Sequence, residues 1–300
     1  MKTKLYILTY KNAPDLNSGL EYLFNSDAGP LIGSNIEVFI INNHTQFGID
    51  PKYVPYVKVL HNVLQPDFGT GHNSRNWNQA LVLGFKSLTN PDCDMVITAH
   101  DDTWYGKNWY ALIQECLFNG YTYTAWGLGD NIQTWTPAAV KRIGLWDERF
   151  CVLAHAEYDY FFKAALYNGD KSTVNDIWHG RQINGKHFPH YAWNVMPFHN
   201  AVLQRPPQNP ERHAQADGRI STMFMGREFF YHKWGVIPEI IGTTEMLAMG
   251  IKKPKVPTYM FYPYFEQDIE TKEEQFYMWR EPYNLYNLPL PDMNGRLYNG

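Results

Sequence analysis

The chain has 300 residues, 16% of them aromatic, three cysteines and a formal net charge of −4. That length supplies one large domain or two modest ones with a real core, and the mild acidity excludes a chain that is basic throughout. Residues 171–256 nevertheless carry 11 Lys and Arg against 6 Asp and Glu, a balance that suits an anionic acceptor or a simple solvated surface.

Cys93, Cys116 and Cys151 are odd in number and lack metal-type spacing, which points to reduced thiols. The run Leu5-Tyr6-Ile7-Leu8 is too short for a signal h-region, and no apolar stretch approaches a membrane span. The expectation is a soluble, cytoplasmic protein.

Leu5 to Thr9 reads as a first strand, and Pro14 in the turn Asn12-Ala13-Pro14-Asp15 opens a helix to about Phe24. Ile36 to Ile41 is a second strand, ending at Asn42-Asn43-His44-Thr45, and Val57 to Leu60 is a third. This alternation begins a doubly wound parallel sheet. Gly69-Thr70-Gly71-His72-Asn73-Ser74-Arg75-Asn76 then precedes helical spacing over Ala80 to Phe85. Glycines before a helix start let backbone amides approach an anion, and Arg75 could add a bidentate clamp; an ordinary loop-to-helix junction fits as well.

Asp94 to Thr103 is a buried strand that stops at His100-Asp101-Asp102. Two carboxylates and an imidazole at the carboxyl edge of a sheet call for a balancing cation or substrate. The residues read as a divalent-metal site holding a phosphate, or equally as a strand end whose solvated aspartates cap the next helix. A helix follows from about Asn108 to Phe118, a strand from Tyr121 to Trp126, and a short helix from Pro137 to Ile143 closed by Gly144.

Glu157 and Asp159 stand at the start of the next helix, which breaks at Asn168-Gly169. They suit a general base with an orienting partner, and they suit plain helix-capping acids too. Residues 181–220 hold five prolines and four histidines, which predicts long ordered loops. A helix from Ser221 to Trp234 and a wrapping tail with one helix near Glu273 to Arg280 complete the chain, with no internal repeat.

Taken in order, several of these pieces resemble the inverting nucleotide-sugar glycosyltransferases of family 2, which have the GT-A fold. Ile7-Leu8-Thr9-Tyr10-Lys11-Asn12 resembles the opening strand and turn that carries the base. Asn42-Asn43-His44-Thr45 stands where that family has Asp-Asp-Gly-Ser, and Ser74-Arg75-Asn76-Trp77-Asn78 where it has Ala-Arg-Asn-x-Gly. Ala99-His100-Asp101-Asp102-Thr103 is similar to the DxD-type metal motif, with His100 in place of the first acid. Gly144-Leu145-Trp146-Asp147-Glu148-Arg149-Phe150 resembles Gly-x-x-Asp-Glu-x-Phe, and Ala156-Glu157-Tyr158-Asp159 resembles Glu-Asp-x-Asp. Phe229-Phe230-Tyr231-His232-Lys233-Trp234-Gly235 resembles Tyr-Phe-x-x-Lys-Trp-Gly.

The resemblance implies an α/β GT-A fold: a Rossmann-like, mostly parallel central sheet with helices on both faces and an irregular C-terminal extension. Residues 1–180 would form the nucleotide-sugar-binding and catalytic core, and 181–300 the acceptor-side loops, closing helix and tail. It implies a metal-dependent inverting transferase that moves a sugar from a nucleoside diphosphate sugar to an acceptor hydroxyl. Glu157 would be the catalytic base, with Asp159 orienting sugar or acceptor. Donor contacts would come from Thr9, Tyr10, Asn12, Asn42, Asn43, Arg75, Asn76, His100, Asp101, Trp104 and Trp126. Mn2+ or Mg2+ would sit on Asp102 with His100 and a later histidine, His179 or His199.

Trp104, Trp126 and Trp135 are candidate pocket walls, although at least one of them fits the core better. A carbohydrate or glycolipid acceptor is the default expectation, with a modified nucleic acid as another. Two rival readings are a non-catalytic sugar- or nucleotide-binding module of the same fold and a nucleotidyltransferase. The second would want a glycine-rich loop after the first strand, and Thr9 to Pro14 holds no glycine.

Overall fold

The computed structural model describes residues 1–62, 73–126, 131–150, 153–174, 182–183, 186–187, 202–204, 226–237, 243–260 and 262–277. Its centre is a seven-stranded sheet. In chain order the strands are β1 (Thr3–Thr9), β2 (Ile36–Asn42), β3 (Val57–His61), β4 (Met95–His100), β6 (Tyr123–Trp126), β7 (Ile132–Trp135) and β8 (Ser172–Val174), with the short β5 (Thr103–Tyr105) outside the sheet. Across the sheet they run β3-β2-β1-β4-β7-β6-β8. Every neighbouring pair from β3 to β4 is parallel, β7 runs antiparallel to both β4 and β6, and β8 is parallel to β6. The α/β class and mostly parallel sheet expected from the sequence are therefore present. β7 was not anticipated, because its four residues, Ile-Gln-Thr-Trp, lack the apolar run that marks a buried parallel strand.

All seven residues of β1 are buried, as a central strand covered on both faces requires. Side chains alternate between two cores. Leu5, Ile7, Val38, Ile40, Met95, Ile97 and Ala99 face helices α1 (Ala13–Phe24) and α3 (Trp109–Phe118). Tyr6, Leu8, Ile41 and Val96 face α2 (Asn73–Phe85), α4 (Pro137–Ile143) and α5 (Leu153–Lys163). The expected helices at 13–24, 109–118 and 137–143 stand within a residue or two of their predicted bounds. Gly144 closes α4 at φ +80, a left-handed position that costs a side chain strain and glycine little. α5 continues as a π-type turn (Ala164–Asn168) up to Gly169.

The second half of the chain packs onto the first. Residues 226–234 form helix α6, followed by α7 (Thr243–Ala248). Phe230, Trp234, Met246, Met260 and Ile269 join the same apolar cluster as Tyr6 and Trp77. β9 (Val202–Gln204) pairs antiparallel with β5, bringing Leu203 opposite Trp104. Beyond residue 250 the chain wraps the core through backbone bonds, Glu148 N–H to Tyr259 O at 2.9 Å and Glu270 N–H to Lys141 O at 2.7 Å. The tail helix expected from Glu273 is absent over the described residues. Lys272–Glu274 make one 3-10 turn, and β11 (Gln275–Tyr277) then pairs in parallel with β10 (Thr258–Met260).

Candidate functional site

In an open α/β sheet, the crevice beyond the strand carboxyl ends at the point where strand order reverses is where ligands bind. Here that point lies between β1 and β4, since β1 has β2 on one side and β4 on the other. Leu8 pairs with His100 in register, so Thr9-Tyr10 and Asp101-Asp102 leave the sheet side by side. Thr9 Oγ1 donates to Asp101 Oδ2 at 2.8 Å, and the Tyr10 amide donates to the same oxygen at 3.4 Å. Asp101 and Asp102 are each 2% exposed.

His100 is anchored through its backbone N–H to Asn131 O at 3.1 Å, and its ring meets Trp77 of α2 edge-on at 5.8 Å. Thr103 Oγ1 donates to the same Asn131 carbonyl at 3.1 Å. Gly19 of α1 allows the chain leaving the motif to pass close by. A Cβ there would stand 3.0 Å from Thr103 O and 3.2 Å from Asp101 O, tighter than side-chain carbons ordinarily pack.

A second set of sequence-predicted residues meets at the ends of β2 and β3. Asn62, just past β3, donates through Nδ2 to Gln79 Oε1 at 2.7 Å, Asn76 Oδ1 at 3.2 Å and Asn43 Oδ1 at 3.3 Å. Gln79 Nε2 returns a bond to Asn62 Oδ1 at 3.2 Å. Asn42 Nδ2 meets His61 Nδ1 at 3.0 Å, while its Oδ1 accepts from the His44 amide at 3.1 Å. The Asn43 amide in turn donates to Thr9 O at 3.0 Å, tying this cluster to β1. The carboxamides of Asn42 and Asn43, expected to contact a base, already hold bonds to neighbouring residues through these atoms. Asn62 and Gln79 were missed. They differ from any surface amide only in what they touch, which the sequence does not display.

Asn12, three residues past the end of β1, differs from these amides. It is 1% exposed at the N-cap position of α1, it makes no side-chain capping bond, and neither amide atom has a hydrogen-bond partner among the described residues. Lys11 before it holds φ +50, in the left-handed region where a non-glycine residue is strained. The Tyr10 ring is half-buried and edge-on to His44 at 5.3 Å.

Arg75 is half exposed in the first turn of α2, its Nε 3.8 Å from Glu148 Oε2. Glu148 in turn accepts from Asn78 Nδ2 at 2.9 Å. Trp104 stacks on Tyr22 of α1 at 5.0 Å. Trp135 is corrected to the core: it is fully buried and donates from Nε1 to Tyr160 Oη at 2.9 Å. Trp126 lies on β6, but its side chain is outside the described residues, as are His179 and His199. Among the described residues, no group of three or more His, Cys, Asp or Glu side chains converges as a metal would require.

The acidic helix divides into two roles. Asp159 is 1% exposed, and its Oδ1 accepts from Lys233 Nζ and Trp234 Nε1, each at 2.8 Å. That geometry fastens Asp159 of α5 to the end of α6. Residues two apart on a helix are separated by about 200°, so Glu157 points away from this knot, and it is half-buried. The knot extends through Lys233 Nζ to Asp147 Oδ2 at 2.8 Å, and Arg149 grips Asp147 with two bonds, at 3.0 and 2.7 Å. Burial alone would raise the Asp147 pKa, but the Lys233 and Arg149 charges outweigh it and hold the carboxyl well below the usual carboxylate range. Lys163 Nζ donates to Leu145 O at 2.5 Å and to Thr258 Oγ1 at 3.3 Å, and burial lowers its pKa to about 7.

No family model and no curated protein sequence matches this chain. Among solved structures it is similar to S. aureus TarS 1-349, at 14% identity and a TM-score of 0.41, over 56% of each chain. It is also similar to the mannosyltransferase PcManGT from Pyrobaculum calidifontis in complex with GDP-Man and Mn2+, at 12% identity and a TM-score of 0.39, over 55% of this chain and 52% of that one. A third is glucosyl-3-phosphoglycerate synthase from Mycobacterium tuberculosis in complex with Mn2+, UDP and phosphoglyceric acid, at 9% identity and a TM-score of 0.39. There the match covers 56% of this chain and 65% of the other. In all three the matched part is less than two thirds of either chain.

Proposed function

We propose that this chain is a GT-A glycosyltransferase that moves a sugar from a nucleoside diphosphate sugar to an acceptor hydroxyl, with inversion at the anomeric carbon. The observation that carries the reading is the Thr9–Asp101 bond at the switch point. It joins the two strand ends at which the family-like base turn and acidic motif fall. The amides of the β2 end are bonded to the same edge through Asn43.

Asp102 and His100, with Asp101 adjoining them in sequence, would hold the ion, and carboxylates suit Mn2+ or Mg2+. Such an ion, when bound, neutralises charge on a departing diphosphate. Arg75 in the first turn of α2 is placed to pair with an anionic ligand, and Glu148 orients it. Glu157, turned away from the Asp159 knot, takes the acceptor proton as general base. Single displacement by that hydroxyl inverts the configuration. A carbohydrate or glycolipid acceptor fits the default for this chemistry.

The test is calorimetry with nucleoside diphosphates, with and without Mn2+, followed by assays of nucleoside diphosphate release from a nucleotide-sugar panel. Asp102→Ala and Glu157→Gln should each abolish transfer while leaving the melting temperature nearly unchanged. Near-normal turnover by either variant removes that residue from the mechanism. Binding without turnover would leave a binding module, and a preference for nucleoside triphosphates would favour a nucleotidyltransferase.

A further inference from the structure

We infer that Tyr22, stacked on Trp104, is a surface subsite for one ring of a neutral oligosaccharide acceptor, set apart from the sheet edge where the sugar is transferred. The inference rests on the proposed function and extends it, since it names an acceptor of several rings and a place that holds it.

The platform follows from a small residue. Gly19 and Tyr22 are three apart on α1 and so share a face. A Cβ on Gly19 would stand 3.0 Å from Thr103 O, so a side chain there would force β5 away from the helix. With glycine in place, β5 lays the Trp104 ring against Tyr22, their centroids 5.0 Å apart and their planes 27° from parallel. The strand is held from its other side by pairing with β9, where Trp104 stands opposite Leu203. Tyr22 is 42% exposed, and the indole behind it is half-buried. A ring already backed in this way loses little freedom when a ligand settles on it.

The surroundings select the ligand. Ser18 is four residues before Tyr22 and Asn25 three after, so a hydroxyl and an amide flank the ring on one face, with Glu21 exposed beside it. A pyranose offers an apolar C–H face to an aromatic ring, and its rim of hydroxyls suits such flanking groups. A protein or membrane partner needs a contiguous apolar patch larger than roughly a few hundred Å2; here one ring has a polar border. The Glu21 charge disfavours a polyphosphate or nucleic-acid backbone. Trp104 lies two residues after Asp102, which makes the platform continuous with the acidic motif, and Tyr22 stands one ring farther out. A single sugar does not span from the motif across Trp104 to Tyr22, so the occupant has several rings.

The experiment is calorimetry on the full chain with cellohexaose, maltohexaose, chitohexaose, mannohexaose and xylohexaose, and with the matching monosaccharides. At least one hexasaccharide should bind, with its monosaccharide about tenfold or more weaker. Tyr22→Ala should weaken that hexasaccharide about tenfold, the loss of one stacked ring, while Tyr22→Phe should stay within about twofold of wild type. Both variants should melt with the wild type and bind UDP and GDP with Mn2+ as it does. Equal hexasaccharide affinity in wild type and Tyr22→Ala, an equal loss in Tyr22→Phe, or no binding to any of the panel overturns the inference. So does Tyr22-dependent binding of polyuridylate or of phosphatidylglycerol vesicles in place of the sugars. Failure of the wild type to bind any nucleoside diphosphate overturns the proposed function instead, whatever the oligosaccharides do.

Discussion

At the ends of β2 and β3 the buried polar groups are neutral amides; behind α5 they are charges. Asn42, Asn43, Asn62, Asn76 and Gln79 hold two strands and a helix together without adding negative charge beside Asp101 and Asp102. Asp147, Arg149, Asp159, Lys163 and Lys233 fasten α5, α6, the 145–149 loop and the tail at Thr258 in one ionic cluster. Once bonded, an amide is cheap to bury, whereas a buried ion is tolerated only while its partner stays in place. The neutral network therefore suits an edge where the proposed function seats a polyphosphate. The ionic one suits a junction that must not move, because it aims the helix that carries Glu157.

That contrast can be broken at four places. The largest effect is expected from Lys233→Met, which takes the shared cation from Asp147 and Asp159 and should cost about 3–5 kcal/mol by urea denaturation. A loss under about 1 kcal/mol would show the cluster to be as forgiving as a surface pair. Next comes Asn62→Ala, which strands three amide oxygens and should cost about 1–3 kcal/mol. If it instead matched Lys233→Met, the two networks would not differ in kind.

Arg149→Lys keeps the charge but loses the two-pronged grip on Asp147, the bond to Pro257 O at 2.6 Å and the stack between Phe229 and Tyr259, at 4.4 and 3.8 Å. A loss of about 1–2 kcal/mol is expected, and an unchanged melting temperature would rule out a role for guanidinium shape. The smallest effect at neutral pH belongs to Lys163→Met, near 1 kcal/mol for the stranded Leu145 carbonyl.

Its signature is pH dependence. Burial, partly countered by Asp159 and reinforced by Lys233, lowers the folded pKa of Lys163 to about 7. In the unfolded chain it returns to about 10.4. Between those values the unfolded state holds a proton that the folded state has released, so stability rises with pH. Lys163→Met should flatten that rise from about pH 7 to 10. The same slope in variant and wild type would assign the titration to another group.

The class of fold, the helices at 13–24, 109–118 and 137–143, and the strand that stops at His100 were legible in the residues, because hydrophobic period, Pro14 and Gly144 act locally. β7 was not, being too short and polar to declare itself. Neither was the 3-10 turn and strand at 272–277, where a Glu-rich run suggested a helix. Asp147 and Lys233 both stood in recognisable segments, yet nothing along the chain announced that they form a buried pair 86 residues apart.

Local chemistry along the sequence determined which residue types gather at each element end: the acids at 101 and 102, the amides at 42 and 43, the acidic helix at 157–159. Only tertiary structure decided their tasks. It turned Asp159 inward to Lys233 and Trp234, engaged the amides of Asn42 and Asn43 with their neighbours, sent Trp135 to the core and left Asn12 with its amide unsatisfied among the described residues. The reason is that a side chain's identity states what bonds it can make, while the partners that accept those bonds arrive from distant parts of the chain.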